Sequence, residues 1–220
     1  MEPMAPETLE SLAEQLKLAD QLLIGRDRML APHDLPGRYG RVIQAVEHVL
    51  RAMACESVLA GGWAVWRHGY VGRVTQDVDI VIPADRLEEF LRVASVSGFE
   101  RLAQPDGRWP KLHHKQTDVE VDILPEGGRP GTESRPAPTT IPHPGRMGAK
   151  VGELHYIHLP SLIELKLAAG RARDEADVVE LLRSNSQQLS SIRNHLAGVY
   201  PDYVRAFDQL ARRAQEQQDV

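Results

Sequence analysis

The chain has 220 residues and a formal net charge of -5. The length suits one domain, or one domain with a helical extension, and the negative charge argues against a protein that coats nucleic acid. Hydrophobic residues make up 42% of the chain and aromatic residues only 5%, and the single cysteine, Cys55, excludes an intramolecular disulfide. No apolar run approaches the roughly 18 residues of a membrane helix and no signal peptide is visible, so we expect a cytoplasmic protein.

The N-terminal region, residues 1–56, is predicted to be helical. Leucines at near-helical spacing indicate an amphipathic helix over residues 7–24, and a second apolar face indicates a helix over residues 41–54. Two prolines and two glycines between them, within residues 31–40, predict a loop.

Residues 57–160 are predicted to form the α/β core of the protein. β-Branched and alternating residues indicate strands over residues 57–60, 77–82, 119–124 and 154–159. Helical patterns indicate helices over residues 63–68 and 86–96. Residues 126–148 are rich in glycine and proline and predict a long loop.

The C-terminal region, residues 161–220, is predicted to consist of three or four helices that end near residue 217. Pro160 suits the start of the first helix, and breaks are expected near Gly170, Ser184 and Pro201. The fold class is therefore α/β (α+β), with a sheet in the first two thirds and helices in the last third.

Asp77 and Asp79 are the most informative residues of the sequence. Being two apart on a predicted strand, they share one face, and two carboxylates held so close repel each other unless a cation lies between them. Oxygen ligands of this kind favour Mg²⁺ or Mn²⁺. Asp122 on the strand over residues 119–124 would supply a third carboxylate. Glu120 shares its face and remains the alternative, although Asp122 lies nearer the strand centre between aliphatic residues.

Gly61-Gly62 is predicted to approach a phosphate, because it follows a short strand and precedes a helix. Glycine permits close approach of the backbone, and a helix N-terminus presents free N–H groups. Arg73 and Thr75 lie in the connector that leads to Asp77, within reach of the same phosphate.

The order of these motifs resembles the DNA polymerase β-type nucleotidyltransferase superfamily: Gly-Gly, then Thr75-Gln-Asp77-Val-Asp79, then a lone Asp. Within it, the stretch Arg73-Val-Thr-Gln-Asp-Val-Asp-Ile80 is most similar to bacterial nucleotidyltransferase-like proteins of the AbiEii toxin type. A later helix with a Lys followed by an Arg and an Asp is similar too, here Lys166, Arg171 and Asp177.

The resemblance implies a mixed sheet flanked by helices and a two-metal site. Asp77, Asp79 and Asp122 would hold Mg²⁺ or Mn²⁺ and act in catalysis, and Gly61 and Gly62 would hold the β- and γ-phosphates. Lys166 would neutralise phosphate charge, and Asp177 would orient Lys166, Arg171 or the nucleotide. Two structural alternatives are favoured as much as these functional roles. Lys166 would then be an ordinary exposed helix residue, and Asp177 would form a surface ion pair. Many superfamily members carry Gly-Ser at the loop, whereas Gly62 has no hydroxyl.

The function implied is transfer of a nucleoside monophosphate from a triphosphate such as ATP to an acceptor hydroxyl. The acceptor would be RNA or protein in a toxin–antitoxin setting, with an antitoxin as partner protein. Two alternatives stay open: a non-catalytic nucleotide- or protein-binding module, and a small-molecule enzyme resembling aminoglycoside nucleotidyltransferases, for which the acidic balance suits a cationic acceptor.

Several other residues are expected to be structural. Trp63 and Trp66, three apart on a helix, should cover the core. His113-His114 has no metal-binding partners in sequence and suits a surface or substrate-side role. His155 and His158 should face opposite sides of a strand.

Overall fold

A computed structural model describes residues 13–14, 16–17, 31–71, 75–105 and 109–216. Within these ranges, helices α1 to α7 span Gly37–Met53, Gly61–Arg67, Leu87–Val96, Leu159–Ala169, Ala172–Ser184, Leu189–Ala197 and Pro201–Glu216. Strands β1 to β9 span Glu56–Leu59, Val78–Ile82, Phe99–Arg101, Lys111–His114, Val119–Pro125, Gly131–Thr132, Arg135–Pro136, Lys150–Val151 and Leu154–Tyr156. The helix predicted over residues 7–24 lies largely outside the described residues, and the four described there are helical.

Seven strands form one mixed sheet, which confirms the predicted fold class. Their order is β3-β4-β5-β2-β1-β8, and β9 also pairs with β1. The pairs β2–β5 and β1–β9 are parallel, while β1–β2, β1–β8, β3–β4 and β4–β5 are antiparallel. β2 is therefore a central strand with β5 on one side and β1 on the other.

The two faces of this sheet are buried in different cores. Leu59 and Ile80 point into a core shared with α1 and α3, whereas Val58 and Val81 point into a core shared with α4 to α7. Asp79 is two residues from Val81 and so lies on the same face of β2. The C-terminal helices therefore flank the sheet face that carries the predicted aspartates.

Helix α1 begins at Gly37, so the predicted loop over residues 31–40 is wrong in its second half. A single turn of 3-10 helix, Pro32–Asp34, precedes the helix. Gly40 lies inside α1. A glycine is needed at this position because a Cβ there would lie 1.8 Å from the backbone oxygen of Leu35. This glycine permits close packing and does not end a helix.

The glycine- and proline-rich segment over residues 126–148 is mostly irregular, as predicted, but ordered. It contains the β6–β7 hairpin and a 3-10 turn, Pro144–Met147. Two backbone bonds, Gly127 N to Ile141 O and Ile141 N to Gly128 O, close it, and Ala137, Ile141 and Met147 are buried against the C-terminal helices. Strands β3, β4, β6, β7 and β8 were not predicted; the four predicted strands and the breaks between the C-terminal helices are confirmed.

Within the described ranges, no helix has both the length and the apolar character needed to cross a membrane.

Candidate active site

Asp79 and Asp122 lie side by side on the two central parallel strands. Asp79 on β2 is in direct register with Asp122 on β5, and paired residues of neighbouring strands point to the same face. Val78 and Ile80, which alternate with Asp79, are fully buried on the opposite face. Hydrophobic burial of β2 thus fixes the direction in which the Asp79 carboxylate points.

Asp77 lies immediately before β2 and is close to the other two aspartates. The pKa of Asp122 is raised, chiefly because burial disfavours its carboxylate; Lys111 opposes the rise, and the charges of Asp77 and Glu120 add to it. The indole Nε1 of Trp63 donates to the backbone oxygen of Asp77 at 3.0 Å. Trp63 is buried, as is Trp66, so both cover the core as predicted, and Trp63 also fixes the start of β2.

Gly61 lies directly against the Asp79 carboxylate. A Cβ at position 61 would be 1.6 Å from Asp79 Oδ2, and the φ of +58° is one that other residues rarely adopt. The backbone N–H of Ala60 donates to the backbone oxygen of Asp79 at 2.8 Å, which holds the turn to the strand. Glycine is required here on both counts, and the predicted phosphate turn and metal carboxylate are adjacent.

Gly62 has a different neighbour, the side chain of Thr75. A Cβ at position 62 would lie 2.2 Å from Thr75 Oγ1, so a serine here would collide with that hydroxyl. Thr75 is only 2% exposed and its hydroxyl donates to Asp77 Oδ1 at 3.4 Å. The space that a Gly-Ser loop would give to the serine side chain is thus occupied by a threonine that also contacts the first aspartate.

Lys111 is a site residue that the sequence reasoning missed, because strand β4 was not predicted. It is paired across the sheet with Asp122, and its Nζ lies 2.7 Å from Glu120 Oε2 and 3.1 Å from Asp122 Oδ1. Burial disfavours the ammonium, but the hydrogen bonds to Glu120 and Asp122 outweigh it and raise the pKa of Lys111. The positively charged ammonium group of Lys111 therefore lies beside the carboxylates of Glu120 and Asp122.

The choice between Asp122 and Glu120 is clearer in the structure than in the sequence. Both are on the same face of β5, but only Asp122 is in register with Asp79. The side chain of Glu120 is 49% exposed against 30% for Asp122. The geometry favours Asp122 as the third carboxylate.

Lys166 and Asp177 meet in a buried ion-pair cluster. Lys166 Nζ donates to Asp174 Oδ1 at 3.0 Å and to Asp177 Oδ2 at 2.6 Å, and Arg171 donates to both oxygens of Asp174 at 2.6 and 3.2 Å. Lys166 is 6% exposed and Asp177 2%, so the exposed alternatives for both residues are wrong. Asp174 is 1% exposed and joins the two cations of the cluster.

This cluster lies near the aspartates. Burial raises the pKa of Asp174, but the bonds from Arg171 and Lys166 outweigh it and hold that pKa below its usual value. The pKa of Arg171 is raised, first by Asp174 and further by the charges of Asp79 and Asp177. The cluster contains two cations and two carboxylates, and its Arg171 guanidinium lies near enough to Asp79 for their charges to interact. Contacts of Lys166 and Asp177 with a nucleotide stay a prediction, and Arg73 lies outside the described residues.

The carboxylate oxygens suit Mg²⁺ or Mn²⁺, though not as a complete protein cage. In the described part of the chain, no three His, Cys, Asp or Glu side chains are grouped closely enough to hold an ion by themselves. Mg²⁺ is commonly bound by one or two carboxylates plus substrate phosphates. Asp77 and Asp79, the latter against the Gly61 turn, would offer such a partial set, and the metal itself stays a prediction.

His113 and His114 lie at the end of β4, which is next to the edge strand β3. His113 Nε2 is 2.8 Å from Asp118 Oδ1, on the surface as expected. His114 is buried, with Nδ1 2.8 Å from Thr117 Oγ1, and packs on the Phe99 ring. A surface or substrate-side role is therefore wrong for His114.

Comparison with known proteins gives one family match. Residues 42–130 match the model of the aminoglycoside-2''-adenylyltransferase family. That segment is similar to a nucleotidyltransferase. It includes Gly61, Gly62, Asp77, Asp79 and Asp122. No curated protein sequence matches the chain.

Solved nucleotidyltransferase structures are among the similar folds. The crystal structure of ANT(2'')-Ia in complex with adenylyl-2''-tobramycin is 15% identical, with a TM-score of 0.41, and the match covers 81% of this chain and 97% of that one. An antigenic nucleotidyltransferase-like protein from Paracoccidioides brasiliensis is 16% identical, with a TM-score of 0.40, and the match covers 76% and 91%. The predicted closeness to AbiEii-type proteins stays a prediction.

Proposed function

We propose that this protein is a metal-dependent nucleotidyltransferase that moves a nucleoside monophosphate from a triphosphate to a hydroxyl of a cationic small molecule of the aminoglycoside type. The observation that carries the proposal is Asp79, which lies against Gly61 on one side and in register with Asp122 on the other. The family match over residues 42–130 supports it, since that segment contains all of these residues.

Each residue has a defined task in this reaction. The Gly61-Gly62 turn contacts the triphosphate, and Asp77 and Asp79 provide the oxygens that bind Mg²⁺ or Mn²⁺. A divalent cation there neutralises charge that develops on the transferred phosphate. The acceptor hydroxyl attacks the α-phosphorus, its proton passes to Asp122, and pyrophosphate leaves. A raised pKa makes Asp122 a stronger base than an ordinary aspartate.

The charge around the site suits a cationic acceptor. Glu120 is close to Asp122, is half exposed and adds a fourth carboxylate to the three aspartates. These four carboxylates outnumber the one ammonium group of Lys111 beside them, and an excess of one sign of charge attracts ligands of the opposite sign. RNA, which is anionic, would be repelled from this edge, so transfer to RNA or protein and an antitoxin partner have no support here beyond the motif resemblance.

Transfer from α-³²P-labelled ATP with Mg²⁺ tests the proposal, with an aminoglycoside panel, a tRNA pool and no acceptor offered in parallel. We expect label on an aminoglycoside and release of pyrophosphate. Asp79→Asn should lower the rate by on the order of a thousandfold, since metal neutralisation is worth several kcal/mol. Asp208→Asn, in an exposed pair with Arg193, is the matched control and should leave the rate unchanged. Label on tRNA alone would contradict the acceptor class.

Lys111 favours a second candidate, a non-catalytic nucleotide-binding module of the same fold. Its ammonium already neutralises Asp122 and Glu120, as a bound cation would. In that case ATP would raise the melting temperature by mass action without any transfer to an acceptor. Transfer by the wild-type protein would exclude this candidate.

A further inference from the structure

A second cleft lies at the opposite end of α2 from Gly61. It has a volume of about 580 Å³ and is bounded by the end of α2, the end of β9, the start of α4 and one face of α6. Clefts of ~300–1,000 Å³ hold small ligands. Arg67 in this cleft is six residues beyond Gly61, or ~9 Å along the helix at 1.5 Å per residue.

The lining of this cleft is basic. Arg67, Arg146, His155, His158 and His195 all line it, and none of its lining residues is acidic. The guanidinium groups of Arg67 and Arg146 make no hydrogen bond or ion pair within the described ranges of the chain. Two such groups in a concave surface are available to an anion.

The first turn of α4 adds neutral donors to the same cleft. Ser161 is 4% exposed, yet it lines the cleft and its hydroxyl has no hydrogen-bond partner among the residues described. It lies in the first turn of an 11-residue helix, whose N-terminal N–H groups and dipole attract negative charge. The Ser161 hydroxyl is therefore available to donate a hydrogen bond to a ligand in the cleft.

The histidines reach the cleft from three elements. His155 and His158 were expected to face opposite ways, which is wrong because β9 ends at Tyr156 and His158 precedes the first turn of α4. His195 on α6 is oriented by Glu164, with Nε2 2.7 Å from Oε2 of this 3% exposed carboxylate. His155 Nε2 lies 2.9 Å from Glu153 Oε2, so two of the three rings already contact a carboxylate, and the two arginines are the main cationic groups of the cleft.

We propose that this cleft binds a phosphate-bearing small anion, at a site separate from the aspartates. Guanidinium groups match phosphate oxygens with paired, charge-assisted hydrogen bonds, and the Ser161 hydroxyl and the α4 N-terminus supply further donors. A polycationic acceptor is repelled from this cleft, so it is not the acceptor site of the proposed reaction. The site does not depend on that reaction.

Calorimetric titration of the full chain with inorganic tripolyphosphate, in EDTA to keep metals from the aspartates, tests the proposal. We expect binding that Arg67→Ala/Arg146→Ala weakens by at least about tenfold, because the variant loses charge-assisted hydrogen bonds, which are the stronger kind. Ser161→Ala should weaken it less. Arg92→Ala/Arg212→Ala removes two exposed arginines elsewhere and should not change it. Melting curves of each variant show whether it is folded.

The variants separate this site from the aspartate site and from a nucleic-acid surface. Asp79→Asn should leave tripolyphosphate binding intact, and ATP should bind in EDTA no more tightly than tripolyphosphate does. The proposal is overturned if tripolyphosphate does not bind, if the double arginine variant binds as the wild type does, or if Asp79→Asn abolishes binding. Preferential binding of a single-stranded oligonucleotide would also overturn it, because the ligand would then be a nucleic acid.

Discussion

Replacement of Gly61 by alanine measures how closely the phosphate turn is packed on the Asp79 carboxylate. The new methyl group would lie 1.6 Å from Asp79 Oδ2, and the backbone has a φ of +58°. Gly127 is a matched control, since its φ is +76° but a Cβ there would meet nothing within 4 Å. The two substitutions therefore share backbone strain and differ in the collision.

The expected magnitudes follow from this difference. A left-handed backbone costs an alanine ~1–2 kcal/mol, and Gly127→Ala should lose about that much free energy of unfolding. Gly61→Ala should lose ~1–3 kcal/mol more, the usual cost of overpacking a buried site. Because the Asp79 carboxylate must move to accept the methyl group, Gly61→Ala should also lose nucleotidyl transfer, whereas Gly127→Ala should keep it.

Urea unfolding followed by tryptophan fluorescence gives the stabilities, and transfer from labelled ATP gives the activities. Equal free energies of unfolding for the two variants would mean that the collision is relieved at no cost. Unchanged transfer in Gly61→Ala would refute the reasoning that this turn and Asp79 form one site.

Two further predictions concern the charged groups around the site. Asp174→Asn should cost ~3–5 kcal/mol of unfolding free energy at pH 7, because it breaks a buried pair, whereas Asp208→Asn in an exposed pair should cost under ~1 kcal/mol. The folded pKa of Asp174 is lowered, so its contribution to stability is present above the ordinary value of 3.8 and is lost as the pH falls below it. Urea midpoints at pH 7 and pH 3 should show the gap between wild type and Asp174→Asn narrow in acid; a constant gap would contradict this. Lys111→Met should raise the pKa of Asp122 further, because Lys111 holds it down against burial. In a ¹³C NMR titration of the metal-free protein the Asp122 carboxyl should then titrate at higher pH, and a shift to lower pH would contradict the assignment.

The features that the sequence predicted correctly are those with short-range causes. The alternating pattern of residues 77–82 is enough to predict β2, although the strand begins at Val78, so a shared face for Asp77 and Asp79 stays a prediction. A glycine that ends a strand next to a helix is also a local signal, although only the structure shows that Gly61 needs its missing side chain because of Asp79.

The features that the sequence did not predict depend on pairing between distant segments. Lys111 reaches Asp122 only because β4 pairs with β5, and the sequence Lys111-Leu-His-His114 has no β-branched residue to indicate a strand. The burial of Lys166 likewise depends on α4 packing against α5, which places Asp174 and Asp177 around it. Long-range pairing of this kind cannot be inferred from the spacing of residues along one segment.

Binding of Mn²⁺ in the presence of a non-hydrolysable ATP analogue, followed by electron paramagnetic resonance, most directly tests whether Asp77 and Asp79 bind the metal. The account predicts that Asp77→Asn and Asp79→Asn each weaken Mn²⁺ binding by at least ~10-fold, since loss even of an outer-shell partner costs ~10–100-fold. Asp122→Asn, at the proposed base, should weaken Mn²⁺ binding less, and Asp208→Asn should bind as the wild type does. Equal Mn²⁺ affinity in the wild type, Asp77→Asn and Asp79→Asn would contradict the central claim.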